Sequence, residues 1–278
     1  MTEPSRHDLY RLPLLRRLTG GMRTLPDFLI LGAQKAGTTT VYDNLVRHPA
    51  VAPCDIKEVH FFDRNWNRGQ NWYRGHFPME RERARARAAG QARLTGEGSP
   101  YYLFHPHVPG RVKALCPHAR LIVVLRNPVE RAYSHYQHEK RKGREPLDFE
   151  AAIAAEADRL LSETARLQSD PSYQSFAHQH YSYQARGHYA EQLEAWFYLF
   201  PREQFIILES SDLNHRFSET FARLYQFLGL PAHDLPQPRR SNVGSYEKMS
   251  DAARDHLTAY FRPHNQRLED LLQRKFDW

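Results

Sequence analysis

Cysteine is almost missing from this chain: Cys54 and Cys116 are the only two among 278 residues. Two thiols cannot build a disulfide framework, and neither stands in a zinc-ligand spacing, so a reducing, cytoplasmic setting is expected. Long apolar runs are missing too. No stretch approaches the roughly 20 residues of a membrane-spanning helix, and the leucines of "LYRLPLLRRLTGGMR" are too interrupted for a signal-peptide core. There is no internal repeat, no low-complexity linker and no recognised nucleic-acid motif, so neither a transmembrane segment nor a nucleic-acid partner is expected.

Charge is plentiful but lopsided, with 39 Lys and Arg against 32 Asp and Glu, a formal net charge of +7. That favours anionic partners without separating nucleotide from acidic glycan. Hydrophobic residues at 41% and charged residues at 26% are ordinary for a folded protein. The length suits one large domain, taken here as residues 27–278, preceded by a basic arm over 1–26 that packs on the domain or touches anionic lipid. The arginine-rich stretch 81–93 reads as an exposed helix.

Strand and helix patterns alternate. Residues 27–31 form a short apolar run, 59–62 a second candidate strand, and "RLTGEG" a third. "RLIVVL" is the plainest buried strand of the chain, and "QFIILES" follows late. Helices are expected after Gly37, around 107–116, from Pro128 onward, over 149–168, through "HYAEQLEAWFYLF", over 215–229 up to a capping Gly229, and through most of the C-terminal region. Such alternation implies an α/β fold, a P-loop-type central parallel sheet flanked by helices, with ligands at the carboxyl ends of the strands.

The chemistry concentrates in "FLILGAQKAGTTT". A strand, then Gly32 to Gly37, then a helix places backbone N–H groups and a helix N-terminus around one anion. Lys35 stands between the glycines rather than after the second, and "LIVVL" ends in Arg126 rather than in an acid. A nucleotide kinase or hydrolase needs the lysine and hydroxyl directly after the last glycine, and an acid for magnesium. Residues alone leave three readings open: such a kinase, a noncatalytic polyanion-binding module, or a nucleotide enzyme of another kind.

Three motifs narrow the choice. "GAQKAGTT", "KEVHFFD" at 57–63 and "LIVVLRNPVERAYSHYQ" at 121–137 resemble, in order and spacing, the sulfotransferases that use 3'-phosphoadenosine 5'-phosphosulfate (PAPS), in particular those acting on heparan-type glycans. The terminal "RKFDW" is similar to the end of the glucosaminyl 3-O-sulfotransferases. The resemblance runs from about residue 27 to the end. It implies the sulfotransferase fold, transfer of a sulfuryl group to a hydroxyl, or less readily an amine, of a glycan or small molecule, release of adenosine 3',5'-bisphosphate (PAP), and no metal requirement.

Carried over by position, Lys35, Ala36, Gly37, Thr38, Thr39 and Thr40 would hold the 5'-phosphosulfate, and Arg126 and Ser134 the 3'-phosphate. Glu58 would be the general base, and His60, two residues on and on the same face of a strand, would orient the acceptor. By residue type alone, Glu58 beside Lys57 is an exposed ion pair, and Arg126 a partner for Glu130. Trp66, Trp72, Tyr73, Phe77, Tyr101 and Tyr102 are candidate cleft walls, some of them core. Two departures weaken a close transfer of substrate: Glu97-Gly98-Ser99 lacks the lysine that glycan enzymes carry there, and the late donor loop is altered, leaving Arg240 and Asn242 as its candidates.

Overall fold

The computed structural model describes residues 12–235 and 247–278; Arg240 and Asn242 therefore lie outside the described residues. Five strands, β1 (Phe28–Gly32), β2 (Val51–Ala52), β3 (Leu94–Gly98), β4 (Arg120–Leu125) and β5 (Phe205–Glu209), form one sheet in the order β2-β3-β1-β4-β5. Every pairing is parallel. β1 is apolar and wholly buried because helices cover both faces, which is why its sequence runs rather than alternates. With β3 on one side of β1 and β4 on the other, the loops leaving all three strands meet above the middle of the sheet.

The longer helices are α1 (Thr38–Leu45), α2 (Glu80–Ala88), α3 (Val108–Leu115), α4 (Pro128–Arg141), α5 (Tyr189–Phe197), α6 (Phe217–Leu228) and α7 (Asp251–Leu272). Their ends follow from local chemistry. Pro128 opens α4, where its missing N–H costs nothing, and the Asn127 side chain caps it by accepting from Val129 N at 2.9 Å. Gly229 closes α6 at φ 68°, a left-handed conformation that glycine adopts without a Cβ clash.

The main core lies around the sheet. A second cluster joins α4, the helix Phe149–Ala154 and α7 through Tyr133, Tyr136, Phe149, Leu257 and Phe261. Gly187 is the close-approach point there: a methyl group added to it would sit 2.5 Å from Phe261 Cε1.

Three sequence expectations are corrected. Residues 59–62 are not a strand; the chain there is loop and turn, and β2 lies earlier, at Val51–Ala52. Val59, Phe61 and Phe62 are apolar because they are buried by side-chain packing, Phe61 stacking on Tyr73 at 4.3 Å, and not because they pair with a neighbour strand. The 149–168 helix is three short ones, Phe149–Ala154, Glu156–Leu160 and Glu163–Ser169. The expected loop after residue 170 contains a helical turn, Phe176–His180, capped by Ser175 Oγ.

Before β1, Arg16 pairs with Asp55 at 3.2 Å and Arg23 donates to Phe77 O at 2.7 Å. Leu14, Leu15, Leu18 and Met22 are exposed on this segment. No described helix is long and apolar enough to cross a membrane.

Candidate active site

The turn after β1 is held open by two left-handed residues, Lys35 at φ 69° and Gly37 at φ 101°. α1 starts at the next residue with no side-chain cap, so its first-turn amides face the space above the sheet, where an anion is the natural partner. The turn is fastened from outside: Arg126 donates to Lys35 O at 3.1 Å, and the buried Arg186 donates to Gln34 Oε1 at 2.6 Å. Burial lowers the Lys35 pKa, and the neighbouring Arg141 and Arg126 lower it further. Excess positive charge around one loop is what an anionic ligand would relieve.

The segment 57–63 lies beside this loop, and Lys57 joins the two. Its Nζ donates to Thr39 Oγ1 and, at 3.2 Å, to Glu58 Oε1. The ion pair that residue type alone suggested for Glu58 is therefore present, but it is anchored on the first turn of α1. His60 Nδ1 sits 2.7 Å from Asp63 Oδ2, and its Nε2 3.4 Å from Glu58 Oε2. Asp63 is buried, so it fixes the ring, and the ring faces Glu58. The two are neighbours not through a strand but through a tight loop in which His60 takes φ 50°. His60 thus contacts the candidate base.

Burial pushes the Glu58 carboxyl up, but the hydrogen bond and charge of His60, helped by Lys57, outweigh it and hold the group at about 2. The side chain is 41% exposed, so an incoming molecule can reach it. Burial also opposes the charged form of His60, yet Asp63 and Glu58 raise its pKa overall. These neighbours favour the ionised form of the Glu58 carboxylate.

A buried polar knot fixes this segment to β3. Glu97 accepts from Tyr102 OH at 2.6 Å, Ser99 Oγ at 2.7 Å and Tyr73 OH at 3.3 Å. Ser99 Oγ in turn accepts from His60 N at 3.0 Å, and the Tyr102 hydroxyl from Phe61 N at 2.8 Å. Desolvation raises the Glu97 pKa to about 7. Tyr73, Phe77 and Tyr102 are thus interior, as are Tyr101 and Trp72, each under 10% exposed. Of the six aromatic candidates only Trp66 is open, lining a groove of about 250 Å³ with Phe61, Ala114 and Leu115. The C-terminal end of α3 lines that groove.

Arg126 ends β4 next to β1 and also lies 3.8 Å from Glu130, a loose pairing that leaves the guanidinium 28% exposed. Ser134 sits on α4, buried to 5% exposure. Thr38 and Thr40 are buried in the first turn of α1, and Ala36 is fully buried beneath the loop. Sequence reading passed over Lys57 and Arg186. Lys57 carried a signal, its adjacency to Glu58; Arg186 carried none, because it acts on a residue 152 positions away.

A family model described as "Sulfotransferase domain" matches residues 25–262. A membrane-associated sulfotransferase of Dictyostelium discoideum is 26% identical, the match covering 93% of this chain and 68% of that protein. Heparan sulfate glucosamine 3-O-sulfotransferase 6 of Mus musculus is 28% identical over 93% of this chain and 75% of its own length. The bifunctional heparan sulfate N-deacetylase/N-sulfotransferase 2 of Bos taurus is 30% identical, but this chain spans only 30% of it. Among solved structures, a sulfotransferase from Alicyclobacillus acidocaldarius superposes with a TM-score of 0.67 at 30% identity, covering 91% of this chain and 98% of that one.

Proposed function

Because the chain belongs to the sulfotransferase family and is a PAPS-dependent enzyme, we propose that it transfers the sulfuryl group in line to an acceptor hydroxyl, with Glu58 taking the acceptor's proton. PAPS supplies an activated sulfuryl group; the chain supplies position and charge. The observation that carries the reading is the Thr39–Lys57–Glu58 link, which holds the candidate base against the donor loop. Lys35 and the first-turn amides of α1 offset charge on the leaving phosphate, and Arg126 with Ser134 receives the 3'-phosphate. Arg240 and Asn242 are proposed as further donor contacts.

A carboxylate with a pKa near 2 is a weak base for a free alcohol. It is sufficient here because the attacking oxygen becomes strongly acidic as its bond to sulfur forms, so the proton moves late and downhill. This favours a hydroxyl over an ammonium acceptor, which must lose its proton before attack. A sulfuryl group carries less negative charge than a phosphoryl group, so no metal is assigned to the transfer.

The kinase and noncatalytic expectations give way to the family membership, and with them the need for an acid at the end of β4. The acceptor is proposed to be a glycan or small-molecule alcohol. Gly98, in place of a lysine, supports a neutral acceptor as well as an acidic one. A reducing, cytoplasmic compartment is proposed on the two buried, unpaired thiols. Incubation with radiolabelled PAPS and a panel of paired alcohol and amine acceptors tests the reading. Label should enter alcohols; label confined to amines would overturn the hydroxyl assignment.

A further inference from the structure

We propose that His188, Glu191 and His264 form a binding site for a divalent transition-metal cation of the zinc class, tying α5 to α7. His188 immediately precedes α5 and Glu191 lies three residues on, so the two share one side of its first turn. His264 projects from α7, which packs against α5. One ligand atom from each residue lies within 4.8 Å of the others, and all three residues are half-buried, reachable from solvent yet held by packing.

The chemistry of the set is specific. Two imidazoles and one carboxylate suit zinc, cobalt or nickel rather than magnesium or calcium, which prefer oxygen ligands throughout. Tetrahedral ligands at about 2.0–2.1 Å from zinc stand about 3.3 Å apart, so the side chains must turn to close the set, water completing the coordination. The rings of His188 and His264 are stacked, centroids 3.9 Å apart and 8° from parallel, so their in-plane lone pairs run side by side and one ring must turn for both to meet one cation.

A second observation points to a cation ligand. Glu191 Oε1 is 3.0 Å from Arg267 and 3.6 Å from His264 Nδ1. Its Oε2 is buried with no hydrogen-bond partner among the described residues. A buried, unpartnered carboxylate oxygen is costly, and a metal ion is one way to satisfy it. The Tyr260 hydroxyl, 2.9 Å from His188 Nε2, supplies the outer contact that commonly orients a ligating imidazole and leaves Nδ1 for the cation.

The site is not part of the transfer centre. It lies one residue from Tyr189, whose hydroxyl donates to Arg126 O at 2.8 Å, and so it braces the helix behind the 3'-phosphate arginine. The test uses tag-free, chelator-treated full chain titrated with Co(II), followed by visible absorption, and with Zn(II), followed by calorimetry. The expected result is a single equivalent of Co(II) with d–d bands, displaced by Zn(II), and a rise in melting temperature on Zn(II) addition. His264→Asn and Glu191→Gln should each weaken Zn(II) by at least about 10- to 100-fold, while circular dichroism and PAP binding stay at parent values. No binding of either ion at sub-millimolar concentration, or equal Zn(II) affinity in parent and His264→Asn, overturns the proposal.

Discussion

At the scale of single residues, the candidate site gathers positive charge, Arg126 and Arg141 standing near Lys35 of the loop after β1. Arg126 is the residue on which two readings met: a pair with Glu130, or a grip on an anion. The pair exists but is loose at 3.8 Å, while the same guanidinium reaches the donor loop at Lys35 O. Replacing Arg126 with Ala should weaken PAP by at least about tenfold, the cost of one or more charge-assisted hydrogen bonds. Calorimetric titration measures this, and an unchanged dissociation constant would remove Arg126 from the donor site. Lys35 and Arg126 stood out as candidates in the sequence because each breaks a local rule, the lysine by its position and the arginine by following a buried strand, and the structure brings them together. Lys57 was legible only as half of a surface ion pair with Glu58, and only the fold brings Thr39 to it.

At the scale of elements, the segment 57–64 shows where sequence patterning runs out. Its apolar residues signalled burial correctly and strand wrongly, since Tyr102 and Tyr73, distant in sequence, supply the partners that a neighbouring strand would have given. Glu97 anchors that arrangement, and its raised pKa has a sign that can be worked out. Between about 4.5 and about 7 the unfolded carboxyl has lost its proton while the folded one keeps it. Stability from this group is therefore complete below the lower value and lost as pH rises through the upper one, on the order of 3 kcal/mol. Urea denaturation of the parent and of Glu97→Gln from pH 5 to 8 isolates it from the histidines. The parent should lose stability relative to the variant as pH rises; a constant difference would show that Glu97 titrates normally. Helix packing gives a second expectation. Gly187→Ala puts a methyl group 2.5 Å from Phe261, and should cost about 1–3 kcal/mol through forced displacement in the second core. An unchanged denaturation midpoint would mean that α7 yields freely there.

At the scale of the whole molecule, the parallel sheet was readable from the alternation of apolar runs and helix signals, and the buried strands β1 and β4 fell close to where their composition put them. The strand order was not readable. It is decided by which crossovers pack, and it is this order that sets the loop after β1, Arg126 after β4 and the knot on β3 around one space. Four of the chain's basic residues, Lys35, Lys57, Arg126 and Arg141, stand near that space. The most direct measurement is transfer of label from PAPS by Glu58→Gln beside the parent, at saturating donor and with a common acceptor alcohol. Turnover should fall about 10²- to 10⁴-fold, with PAP affinity unchanged. A variant that turns over at the parent rate would contradict the assignment of Glu58 as the group that takes the proton.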